Sequence, residues 1–150
     1  MPTETTLNPI EVRLTGGMYA LTRFLMTLQN KRMPVASFAI GEDGHGMRAT
    51  LLLDCPPETA RRYNMLLSSL EDVQQIGVAS ETIEVALLKT RGDAWKESSA
   101  RAGVDARKDG DTIVASGEPE TLGAWLAEVE EDLVDLVRLG PVARPGDGRG

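Results

Sequence analysis

Apolar residues change their period several times along this chain. Ile10, Val12 and Leu14 alternate with polar neighbours, which predicts a strand. Leu21, Phe24, Leu25 and Leu28 then recur at i, i+3, i+4 and i+7, one apolar stripe of a helix. Pro34 closes any helical option, and Val35 to Ile40 is small and branched, as a strand prefers. "GEDGHG" (41–46) is turn chemistry, and Met47 to Leu53 returns as a strand, so 35–53 reads as a hairpin. "DCPPE" stops it. Pro57 suits a first helical turn, and Glu58 suits the positive end of the helix dipole. Ala60, Tyr63, Leu66, Leu67 and Leu70 line one helical face, and Val73 to Val78 closes with a fourth strand.

The order β-α-β-β-α-β then repeats. Ile83 to Leu88 reads as a strand and Ala94 to Ala102 as a short helix. Val104–Arg107 and Thr112–Ser116 flank the turn "KDGD". Glu120 to Glu131 is predicted helical, with Leu122, Trp125, Leu126 and Val129 on one face, and Leu133 to Leu139 is the last strand. The expected fold is α+β: two tandem ferredoxin-like βαββαβ modules, over 10–79 and 82–140, with loose tails at 1–9 and 141–150. The second module is compressed, since its first helix barely reaches two turns. A module that small gains little stability alone.

Composition narrows the classes. Aromatics are 4% of 150 residues, so the core must be largely aliphatic. A net charge of −7 argues against a nucleic-acid binder, which needs clustered Lys and Arg. No apolar run reaches the roughly 18 residues of a membrane span. The opening "MPTETTLNPI" has neither the basic start nor the apolar stretch of a secretory signal. One cysteine, Cys55, excludes an intrachain disulfide; with it, a reducing, cytoplasmic setting is expected.

Catalytic chemistry finds little support. The single histidine, His45, sits in the predicted hairpin turn, and Cys55 lies past the other end of the following strand, so the two do not form a pair. No metal or cofactor motif occurs: there is no CxxC, no HExxH and no second histidine. The acidic group Glu128, Glu130, Glu131 and Asp132 reads as a solvated face. The strand-to-helix junction Thr15-Gly16-Gly17 is the stronger candidate. A helix N-terminus leaves N–H groups unpaired and carries positive partial charge, and glycines let a ligand approach them. Such a site can hold a small carboxylate. A tight turn needing positive φ explains the same residues, and both readings stand at this point.

Several segments resemble the small regulatory subunit of acetolactate synthase, a family whose first module is an amino-acid-sensing ACT domain. "ALTRFLMTLQNKRMPVASFAIG" (20–41) is similar to the family's first helix and second strand, with Ala20, Leu21, Arg23 and Ser37 matching. "EVALLKT" (84–90), "DTIVASGEPETLGAWL" (111–126) and "LVRLGPVAR" (136–144) resemble pieces of its second module, in the same order. The resemblance implies a homodimer that binds the thiamine-diphosphate-dependent catalytic subunit and is not itself an enzyme. It also implies an effector site at Thr15, Gly16, Gly17, Met18, Tyr19 and Ala20 with Pro34 and Val35. Here Gly16 stands at the family's first asparagine, Tyr19 at its glycine and Pro34 at its second asparagine. The fold and the partner therefore carry over further than valine sensing does. The alternatives are a free-standing ACT-type sensor acting on another partner, and a small enzyme on the same scaffold.

Overall fold

A computed structural model describes residues 7–145. It resolves into two compact units. Among the described residues, 7–81 and 142–145 form the first; Thr82–Pro141 forms the second. Each holds a four-stranded sheet, and each is an α+β ferredoxin-like module.

The first unit runs β1 (Leu7–Leu14), α1 (Gly17–Asn30), β2 (Val35–Glu42), β3 (Met47–Asp54), α2 (Pro57–Ser68) and β4 (Val73–Val78). Its sheet order is β2-β3-β1-β4, with each neighbouring pair antiparallel. The period-2 pattern decides which side is dry. Ile10, Val12 and Leu14 of β1 and Ala49, Leu51 and Leu53 of β3 are buried in one core with Phe24 and Leu28 of α1 and Ala60 and Leu67 of α2. The alternate positions of β1 and β3, among them Glu11, Arg13, Arg48 and Thr50, point to the sheet's other face. Thr50 is nonetheless 2% exposed. The chain end crosses back over it: Ala143 N–H donates to Thr50 Oγ at 2.7 Å, and Arg144 N–H donates to the Glu81 carbonyl at 3.0 Å.

The second unit runs β5 (Thr82–Thr90), α3 (Ala94–Ala102), β6 (Asp105–Asp109), β7 (Thr112–Gly117), α4 (Pro119–Glu128), a 3-10 turn (Glu130–Asp132) and β8 (Leu133–Ala143). Its sheet order, β6-β7-β5-β8, repeats that of the first. Its short helices are filled out by large side chains. Trp95 and Trp125 are both buried, and Trp125 Nε1–H donates to Ser98 Oγ at 2.9 Å. Glu84, 4% exposed, lies on the same strand face as buried Ala86 and Leu88. Arg138 Nε–H donates to its carboxylate. The guanidinium lies against α4, where a Cβ at Gly123 would stand in ordinary contact with it, 3.5 Å from Arg138 Nη2.

The predicted order of elements holds, with four corrections. β1 begins at Leu7, so residues 7–9 belong to a strand and not to a tail. Pro9 and Asn8 made the segment look loose; Pro9 lacks an N–H, but its carbonyl accepts from Ala79 N–H at 3.0 Å. β8 runs on to Ala143, through the Gly140-Pro141 pair that reads as a stop signal. α4 ends at Glu128, and Glu130–Asp132 tightens into a 3-10 turn. On α1 the dry stripe is Ala20, Phe24 and Leu28, while Leu25 is 40% exposed. The remainder of the two expected tails, 1–6 and 146–150, lies outside the described residues.

Candidate functional site

The Thr15-Gly16-Gly17 junction is built as the glycines require. Gly16 and Gly17 have φ of +108° and +64°, the region where a Cβ is strained. Gly16 is the cap residue of α1; no side chain caps the helix, and no acidic residue occupies its first turn. The junction is latched from the start of the neighbouring strand β4, where Thr15 N–H donates to the Asp72 carbonyl at 3.0 Å. The Asp72 carboxylate then takes both prongs of Arg23: Nε at 2.6 Å and Nη2 at 2.7 Å. This charge-assisted fork pulls the Asp72 carboxyl below its usual range and raises Arg23 in turn. The result is a helix N-terminus with no side-chain cap, held in position by an ion pair nearly two turns further along α1. Such an end can receive an anionic group.

Of the eight expected effector residues, Thr15 to Ala20 lie together at this end. Ala20 is buried, whereas Met18 and Tyr19 are 66% and 79% exposed. The Tyr19 ring does not fill the junction within the chain. Pro34 and Val35 are at the opposite end of the sheet: Val35 pairs with Leu53, and Leu14 pairs with Met47. The 14-residue α1 separates the two groups by roughly 21 Å. One chain therefore presents two halves of the expected set and does not join them.

His45 is exposed in the β2–β3 turn, where its N–H donates to Asp43 Oδ1 at 2.9 Å. That bond, with Arg13 nearby, lowers the Asp43 carboxyl. Cys55 follows the far end of β3, a strand of eight residues or about 27 Å. It is buried, and burial pushes its thiol up, away from the reactive thiolate. Among the described residues no group of three or more His, Cys, Asp or Glu could hold a metal ion. No helix among them is long and apolar enough to cross a membrane.

Sequence reading missed a second feature. A cavity of about 490 Å³ opens on the helix-free face of the first sheet, lined by Arg13, Arg48, Glu11, Gln75, Gly77 and Arg144 among others. The three arginines are 35 and 96 positions apart in the sequence. Only strand pairing and the returning chain end bring them together, and no local pattern announces that.

No family model matches this sequence, and no curated protein matches it. Among solved structures, the chain is similar in fold to the acetolactate synthase small subunit of Thermotoga maritima. The TM-score is 0.77 at 14% identity, over 92% of this chain and 96% of that one. A protein of unknown function from Galdieria sulphuraria aligns at a TM-score of 0.41 and 18% identity, over 91% and 100% of the two chains, too low a score to weigh.

Proposed function

We propose that the chain is a non-catalytic regulatory subunit of an acetolactate synthase, cytoplasmic and homodimeric, which binds and stabilises the catalytic subunit. One observation carries the reading: the fold likeness to a small subunit of that enzyme runs through both modules and nearly the whole of both chains. The uncapped junction at Gly16 and Gly17 supports an effector role for the first module.

The divided site supports the proposed dimer. Thr15–Ala20 and Pro34–Val35 meet only if a second copy brings its β2 end to the α1 start of the first. β2 is an edge strand with exposed Val35 and Ile40, an edge that another strand would cover. Valine is a poor ligand in this reading. Pro34 offers neither an amide side chain nor an N–H, and Gly16 offers no side chain to the ligand. An unpaired polar group of a buried ligand costs on the order of several kcal/mol, enough to remove micromolar binding.

The same departures at Gly16, Tyr19 and Pro34 favour a second reading, a free-standing ACT-type sensor with another ligand and partner. The test is reconstitution with the acetolactate synthase catalytic subunit of the same organism. We expect the chain alone to consume no pyruvate, to co-elute with the catalytic subunit and to raise its rate, with valine causing little change. Separate elution and an unchanged rate would overturn the regulatory reading in favour of the second.

A further inference from the structure

The cavity on the helix-free face has a floor whose charges are arranged unusually. Arg13 of β1 and Arg48 of β3 are direct cross-strand partners. Like charges placed directly opposite destabilise a sheet unless something answers them. Each has one answer: Arg48 Nη2 meets Glu11 Oε1 at 2.9 Å, and Arg13 Nη1 meets Asp43 Oδ2 at 2.9 Å. Each contact uses a single nitrogen of a guanidinium that carries five N–H donors. Both arginines line the cavity on one rank of the sheet, with Gln75 of β4 next in line opposite Arg13.

Gly77 stands beside Glu11 one rank along. Its backbone does not need glycine: its φ is not in the positive region, and an added Cβ would meet nothing within 4 Å. A strand glycine without a conformational reason weakens the sheet and often marks close approach of another molecule. Here it deepens the cavity floor. Arg144 adds a third guanidinium to the lining from the chain end, held there by the backbone bonds of Ala143 to Thr50 and of Arg144 to Glu81. No described residue forms an ion pair with the Arg144 side chain. In a chain of net charge −7, this gathers three guanidinium groups in one lining with the carboxylates of Glu11 and Glu81, while Asp43 answers Arg13 from outside it.

We infer that this cavity binds a small organic oxyanion, a carboxylate or phosphate compound, received between Arg13 and Arg48 and closed over by Arg144, with its body lying above Gly77. The volume is within the usual range for small-molecule sites, and planar guanidinium forks match such oxygens. The site is on the opposite face of the sheet from the helices and needs one chain only. It therefore stands or falls independently of the regulatory proposal.

The test is titration calorimetry on the full chain with malonate and, separately, with inorganic phosphate, in chloride buffer of matched ionic strength. The two titrations tell carboxylate from phosphate. We expect at least one anion to bind at one site per chain with a Kd of about 1 mM or tighter. Arg144→Ala should weaken it by about tenfold, the scale of one charge-assisted contact. Gly77→Leu, which fills the floor without changing any charge, should abolish it while the thermal melt stays cooperative. Should Gly77→Leu fail to fold, the Arg144→Ala titration decides alone. Failure of both anions to bind the unmodified chain, or unchanged binding in the folded variants, overturns the inference.

Discussion

The two units share a topology and fill it differently. Each begins its first helix at a latched junction: Thr15 N–H reaches the Asp72 carbonyl in the first, and Arg91 N–H reaches the Asp132 carbonyl at 2.8 Å in the second. Backbone path alone dictates that latch. What is layered on it differs. The first unit has helices of 14 and 12 residues over a largely aliphatic core, two positive-φ glycines at its junction and the Arg23–Asp72 fork. The second has helices of 9 and 10 residues, one positive-φ glycine, Gly92, at its junction, both tryptophans of the chain and a half-buried ion pair. Shorter helices cover less sheet, and larger side chains restore the burial. The unit that kept long helices also kept the open helix terminus and the cavity.

That contrast can be broken most directly at Trp125. Trp125→Ala removes a fully buried ring and should cost about 3–5 kcal/mol in urea unfolding. A loss under about 1 kcal/mol would mean the tryptophans do not compensate for helix length. Next comes the ion pair under α4. Arg138→Met strands the Glu84 carboxylate, but Arg138 is 42% exposed. The expected loss is about 2 kcal/mol rather than the roughly 3–5 kcal/mol of a fully buried pair, and Glu84→Leu added to it should recover most of that.

The two junctions give a finer comparison. Gly16→Ala meets both a strained φ and the Ala20 Cβ at 3.2 Å, whereas Gly92→Ala meets only the φ. Thermal melts should show losses of about 2 and about 1 kcal/mol respectively. The smallest effect is in pH. The Asp72 carboxyl is depressed in the folded chain, first by its hydrogen bond from Arg23. Its stabilisation is complete above the unfolded value of about 4 and is lost as pH falls through the lower folded value. The difference in Tm between the wild type and Asp72→Asn should therefore be present at pH 7 and shrink below about pH 4.

Periodicity carried most of the fold. Alternation placed Ile10, Val12 and Leu14 on the dry face, and the stripe Leu122, Trp125, Leu126 and Val129 is wholly buried. It failed where a residue's local meaning is overridden by pairing. Pro9 and Pro141 both read as punctuation, yet each is inside a strand. Leu25 fits a helical stripe by spacing but falls on the wrong side of Phe24. The glycine junction was legible because positive φ is a local demand. Its division from Pro34 and Val35 was not, because sequence places them near one another and a 14-residue helix carries them apart. The arginine cavity had no local signal at all, since it exists only through register.

The return of the chain end to Thr50 and Glu81 changes what counts as a separable piece. Residues 82–141 are spliced into the first unit and do not follow it, for the chain leaves at Glu81 and comes back at Val142. The exit and the return are hydrogen-bonded to each other through the Glu81 carbonyl and Arg144 N–H. A gene truncated after residue 81 thus encodes an amputated first module, with the Thr50 hydroxyl uncovered. The clean dissection is an excision: drop 82–141 and bridge the gap with a tight turn of a few residues. Domains spliced in at close-lying termini tolerate that surgery.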